Sequence, residues 1–196
     1  LSGDCPQGQS AGPERRARAQ GGEIHWADEA GLPSRANYGR SFAPRGHTPI
    51  IRRPGTRFSQ SMISSLTNQG KLRFMIYEGA LKAPIFLNFL RRLVREAGRK
   101  LFVIVDNLPV HRAHRVTAWV HDHADRIELC YLPSYAPEHN PDEFLNNDLK
   151  QAMARRRTPR DKAALKSGLT SYMRSLQQCP AKVRAFFQAP TVRYAA

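Results

Sequence analysis

The chain has 196 residues and carries 31 Lys and Arg against 16 Asp and Glu, a formal net charge of +15 at a pI of about 10.6. That length suits one sizeable domain with a real core, and the charge sets up a field that draws in polyanions, nucleic acid before an anionic membrane surface. No apolar run approaches the ~20 residues that span a bilayer, the amino end lacks the apolar centre of a secretory signal, and Cys5, Cys130 and Cys179 show no Cys-x-x-Cys spacing, so neither zinc nor a disulfide framework is indicated.

Residues 1–22 are rich in Gly, Pro, Ser and Arg without hydrophobic periodicity and read as a disordered leader, or the remnant of a missing DNA-binding module. Glu23 to Glu29 alternates as a strand, with Ile24, Trp26 and Asp28 on one face and His25, Ala27 and Glu29 on the other. Only one of the tandem acids can share a face with Trp26, and that acid is Asp28. Gly31 to Gly55 is loop-like, with a short strand expected over Thr48 to Arg53. Ser59 to Leu66 and Lys71 to Tyr77 form a hairpin closed by Thr67-Asn68-Gln69-Gly70, where Gly supplies positive φ. Ala83-Pro84 opens a helix with an apolar stripe of Ile85, Phe86, Phe89, Leu90, Leu93 and Val94 that ends before Gly98.

Leu101 to Val105 is an unbroken apolar run, the pattern of a strand buried on both faces, and it delivers Asp106 at its carboxyl end, where ligands bind in open α/β sheets. Arg112 to His123 reads as a helix that buries Val116, Trp119 and Val120, and Ile127 to Tyr131 as a parallel strand. After a proline-broken turn, Asn140 caps a helix from Pro141 to about Met153. A second helix spans Asp161 to Gln178, and Val183, Phe186 and Phe187 suggest a last short one. After Gln151 roughly ten Lys and Arg face a single acid, Asp161, which favours a nucleic-acid-facing surface.

Three carboxylates, Asp28, Asp106 and Glu143, sit at element ends that one sheet can bring together. Crowded carboxylates raise one another's pKa unless a cation lies among them, and hard oxygen donors select Mg²⁺ or Mn²⁺. Ions held that way support phosphodiester cleavage or transfer. Each acid also has a plainer reading. Asn140-Pro141-Asp142-Glu143 fits a capping box, Asp142 replaces Glu143 as the ligand if the helix starts one residue later, Asp106 caps the following turn, and His111 is packed or hydrogen-bonded rather than a base.

The string Val103-Ile104-Val105-Asp106-Asn107 with His111, followed by Leu132-Pro133-Ser134-Tyr135-Ala136-Pro137-Glu138-His139-Asn140-Pro141-Asp142-Glu143 and Leu149-Lys150, resembles the catalytic core of DDE transposases of the mariner-like insertion-sequence type. Asp106 and Glu143 lie 37 positions apart (143 minus 106), close to that family's separation of second and third acids. Trp26-Ala27-Asp28-Glu29-Ala30-Gly31 resembles its first block, and Gly46-His47-Thr48-Pro49 and Ser64 through Gly70 follow its order. The resemblance implies an α/β RNase H-like fold with a mixed central sheet flanked by helices. It assigns a catalytic domain to residues 23–155, and leaves 156–196 as a basic helical extension packed on it.

It further implies two divalent ions, Mg²⁺ with Mn²⁺ as substitute, on Asp28, Asp106 and Glu143, with Asn107, His111 and Asn140 shaping the site. The activity implied is DNA cleavage and strand transfer at mobile-element ends, by a homodimer in the active complex, in the cytoplasm at the nucleoid. Arg52, Arg53, Lys150, Arg155, Arg156 and Arg157 are the expected DNA contacts. Such transposases carry helix-turn-helix modules ahead of the catalytic domain, where this chain has only its leader. An inactive DNA-binding remnant and an RNase H-type nuclease without strand transfer are therefore the alternatives. Where many relatives carry Trp after the third acid, this chain has Asn146, a change that need not touch catalysis.

Overall fold

Eleven elements follow one another in the computed structural model, which describes residues 12–34, 44–47, 57–132, 140–156, 158–192 and 195. In chain order they are α1 (Pro13–Ala19), β1 (Glu23–Pro33), β2 (Ser59–Leu66), β3 (Leu72–Tyr77), α2 (Ala83–Glu96), β4 (Leu101–Val105), α3 (His114–Asp122), β5 (Ile127–Tyr131), α4 (Pro141–Ala154), α5 (Lys162–Gln177) and α6 (Pro180–Ala185). The strands form one sheet in the order β3-β2-β1-β4-β5. β2 pairs antiparallel with both β1 and β3, whereas β4 runs parallel to β1 and β5. The sheet is therefore mixed, as expected, with β1 at its centre.

Alternation along each strand sends side chains to two faces, and helices cover both. Trp26, Met62, Leu66, Phe102 and Ile104 meet α4, α5, α6 and Ala17 of α1 on one face. Ala27, Ile63, Leu101, Val103 and Val105 meet α2 and α3 on the other. Covering on both sides is why β4 is apolar at every position and wholly buried. The hairpin turns at Gly70, whose φ is +91°; a Cβ there would lie 2.7 Å from the carbonyl oxygen of Pro180. The close approach seats the start of α6 against the turn. Phe187, just past α6, meets Trp26 edge-on at 5.3 Å between ring centroids. Leu169, Met173, Leu176 and Val183 join the same cluster, so the carboxyl-terminal helices share the core of the sheet.

Three details differ from expectation. Residues 13–19 of the leader are helical: Pro13 occupies the first turn, where it loses no hydrogen bond, Ala17 is buried, and Arg16 reaches Glu128 at 2.8 Å. β1 runs past Glu29 to Pro33, because its register with β2 pairs Trp26 through Pro33 with Leu66 through Ser59 and that ladder overrides the local turn composition. α3 starts at His114 rather than Arg112, since residues 111–113 instead donate N–H bonds three residues back, to Leu108, Pro109 and Val110. The strand expected over Thr48 to Arg53 lies outside the described residues. Among the described residues no helix is long and apolar enough to cross a membrane.

Candidate active site

The parallel register of β1 and β4 sets Trp26 beside Ile104. Asp28 and Asp106, each two residues further on, therefore emerge side by side at the same end of the sheet. Asp28 keeps to the Trp26 face, as the alternation requires. Glu143 arrives in the first turn of α4, which packs on β1 and β2. The cap of that helix is made by Asn140, whose side-chain oxygen accepts from the Asp142 N–H at 3.0 Å and whose carbonyl accepts from the Glu143 N–H at 3.0 Å. Its amide also donates to the Ala27 carbonyl at 3.4 Å, tying the start of α4 to β1.

Electrostatics join the three acids. Burial pushes the Asp28 carboxyl up to about 6, and the charges of Asp106 and Glu143 push the same way, against hydrogen bonds from the Glu29 N–H and Asn146. Burial also acts to raise Asp106, but contacts from His111 and the Leu108 N–H outweigh it and hold that carboxyl below its ordinary value. Asp106 Oδ1 accepts from the Leu108 N–H at 3.1 Å and lies 2.9 Å from His111 Nδ1. The turn-capping reading of Asp106 is thus true alongside its place in the site. Among the described residues no three His, Cys, Asp or Glu side chains stand close enough to hold one ion together. Asp28 nonetheless lies in the field of both other acids, and crowded carboxylate oxygens are hard donors of the kind that divalent cations take.

The sequence pattern of the DDE superfamily endonucleases matches residues 23–166, from the first strand through all three acids. The chain belongs to that family. Its fold is also that of Mos1 mariner transposase structures. A pre-cleavage Mos1 transpososome aligns at a TM-score of 0.64 with 16% identity, covering 93% of this chain and 59% of that one. A Mos1 paired end complex with Mn aligns at 0.63 with 15% identity, covering 93% and 59%. The isolated Mos1 catalytic domain aligns at 0.59 with 14% identity, covering 92% and 87%. The chain thus spans about six-tenths of the longer Mos1 chains, and nearly all of it corresponds to their RNase H-like catalytic part. Among curated proteins none matches it in sequence.

Around the three acids, the sequence-derived shaping residues take distinct places. Asn107 donates to the Leu132 carbonyl and accepts from Arg112 at 2.6 Å, fastening the exit of β4 to that of β5. His111 is buried, with its ring 4.5 Å from Phe86 and Nδ1 3.2 Å from the Asp106 carbonyl as well as near its carboxylate. It is a packed residue that orients Asp106. α4 starts at Pro141 and not one residue later, which turns Asp142 wholly inward, where Ser64 donates to it at 2.7 Å. Burial and then the charge of Asp28 raise its pKa well above the carboxylate range, with Ser64 opposing. Of the basic residues, Lys150 and Arg155 are exposed, while Arg156 donates to the Gly168 carbonyl at 3.1 Å and so links the end of α4 to α5. Arg52, Arg53 and Arg157 lie outside the described residues.

Two residues escaped the sequence reading. Asn146, read from the sequence only as a departure from the family's Trp, donates from Nδ2 to Asp28 Oδ2 at 3.0 Å. Its signal was its place one helical turn after Asp142, on the face that α4 turns to the sheet. Glu29 lies on the opposite face from Asp28, yet it too enters the electrostatics: burial raises it to about 7, with the charges of Asp28 and Asp106 adding and His111 opposing. This end of β1 is therefore acidic on both faces of the sheet.

Proposed function

We propose that this chain is the catalytic domain of a mariner-like transposase, which cleaves DNA phosphodiester bonds and transfers the strand at mobile-element ends. The observation that carries the reading is Asp28. Its carboxyl is raised by burial and by the charges of two further acids delivered from separate elements, an arrangement that costs stability until a cation offsets it. Asp28 and Asp106 would hold one divalent ion, and Asp28 and Glu143 a second. Bound Mg²⁺ or Mn²⁺ would supply an activated water or 3′-hydroxyl and neutralise charge on the leaving oxygen.

The chain's own residues perform the remaining work. His111 and the Leu108 N–H keep Asp106 ionised and oriented, and Asn140 places the first turn of α4 so that Glu143 enters from beside β1. Lys150, Arg155 and the net charge of +15 hold the DNA backbone against an acidic site that would otherwise repel it. Residues 23–155 carry the acids, and the helices of 156–196 complete the core. Several of the Mos1 structures are paired-end complexes, among them one with Mn and one with Mg; by that likeness two copies of this chain would pair two DNA ends, and we place that activity in the cytoplasm at the nucleoid.

Nicking of supercoiled plasmid by the purified chain with Mn²⁺ at low salt tests the reading, beside Asp106→Asn and Glu143→Gln. The parent should nick and both variants should lose at least 10²-fold in rate while staying folded and DNA-bound. DNA binding without nicking by the parent would refute the activity and favour an inactive DNA-binding remnant. Nicked ends that never join to target DNA would point to a hydrolase without strand transfer.

A further inference from the structure

Asp28 of β1 and Ser64 of β2 are directly opposite cross-strand partners. On α4, Asp142 and Asn146 are one turn apart and face the sheet together. The two pairs interlock: Ser64 donates to Asp142 Oδ1 at 2.7 Å, and Asn146 donates to Asp28 Oδ2 at 3.0 Å. Asp142 is fully buried and Asn146 is 5% exposed. A carboxylate can only accept, so the Asn146 amide must turn its nitrogen to Asp28. That leaves its own Oδ1 buried without a partner, and Asp142 Oδ2 is likewise unpartnered. A buried polar atom left unpaired costs roughly 1–3 kcal/mol, and an apolar side chain of the same size would avoid that cost. Leu145 and Leu149, neighbours on the same helix, are packed apolar residues on this face. Packing alone would select another leucine at 146.

The geometry points to Asn146 as a positioning residue for metal binding: it fixes the plane of the Asp28 carboxylate, and the Ser64–Asp142 bond fixes the rotation of α4 that brings Asn146 there. This rests on the carboxylate site proposed above. Asn146 thereby plays for Asp28 the part that His111 plays for Asp106, each acid being held by a side chain from outside its own strand. Outer hydrogen-bond partners of metal ligands are typically worth 10–100-fold in metal affinity.

The test is Mn²⁺ affinity of the whole chain, read by water-proton relaxation without DNA, for the parent, Asp28→Asn, Asn146→Leu and Asn146→Ser, with thermal melting of each. Asn146→Leu keeps the branched heavy-atom skeleton and removes the donor, so it should melt at or above the parent's temperature yet bind Mn²⁺ about tenfold or more weakly. Asn146→Ser keeps a short donor and covers the case in which Leu does not fold; it should be weakened as well, because its hydroxyl falls short of Asp28. Parent-like Mn²⁺ affinity in a folded Asn146 variant, with Asp28→Asn weakened, overturns the role of Asn146 and leaves the site standing. Parent-like affinity in Asp28→Asn overturns the site itself, and the role of Asn146 with it.

Discussion

Asp28→Asn should make the metal-free protein more stable, by an amount that grows with pH. The parent carboxyl has a folded-state pKa of about 6 against an ordinary 3.8. Below 3.8 both states are protonated and the acid costs nothing. As pH rises, the unfolded chain ionises first and is favoured, until above about 6 the cost is complete. Each tenfold difference in proton affinity is about 1.4 kcal/mol, so the cost reaches about 1 kcal/mol at pH 4.5 and about 3 kcal/mol at pH 8.

Asparagine has the shape of the aspartate and still offers an oxygen to the Asn146 amide, so the substitution removes charge without opening a cavity. It also relieves Glu29, whose pKa of about 7 is owed first to burial and then to Asp28. For a chain of this size about 3 kcal/mol corresponds to roughly 6–12 °C in melting temperature. Thermal or urea unfolding in EDTA at the two pH values measures the effect. Adding Mn²⁺ should reverse the order, because only the parent gains from an ion that binds the folded state. A variant no more stable than the parent at pH 8 without metal would refute the claim that this site is strained by its own charge.

Phe187→Ala removes a fully buried ring from against Trp26 and should cost about 3–5 kcal/mol in urea unfolding; a loss under 1 kcal/mol would show that the carboxyl-terminal helices are not part of the core. His111→Leu removes the contact that holds Asp106 below its ordinary pKa. The acid limb of Mn²⁺-dependent nicking should then move to higher pH, and an unmoved limb would separate His111 from Asp106. Replacing Lys150 and Arg155 with Ala should lower the slope of log affinity for DNA against log salt by about 2 if both meet phosphates. An unchanged slope would place the DNA elsewhere.

Local chemistry made much of this legible. The β4 run is apolar throughout because helices cover both faces, and that alone marked Asp106 as the residue that surfaces at its end. Gly70 marked the hairpin because its positive φ suits no side chain well, and Pro84 and Asn140 marked helix starts because each answers the unpaired donors of a first turn. Such signals lie within a few residues of the feature they report. What failed was longer in range. Pro33 reads as a turn residue, yet it ends a strand because β2 supplies a ladder from more than twenty residues away. The leader reads as disordered, yet residues 13–19 are helical because Ala17 and Arg16 find partners on β4 and β5.

The same division runs through the site. The chain's own pattern determined that three carboxylates sit at element ends, that Asp28 shares a face with Trp26, and that the surface is strongly basic, since strand alternation, caps and charge are properties of the chain itself. Which neutral residue holds which acid was decided by the tertiary structure alone. Asn146 meets Asp28 across 118 positions, Ser64 meets Asp142 across 78, and Glu29 feels Asp106 from the other side of the sheet. No periodicity encodes those meetings; they exist only once α4 is laid across β1 and β2, and burial there is what changes the acids' affinity for protons.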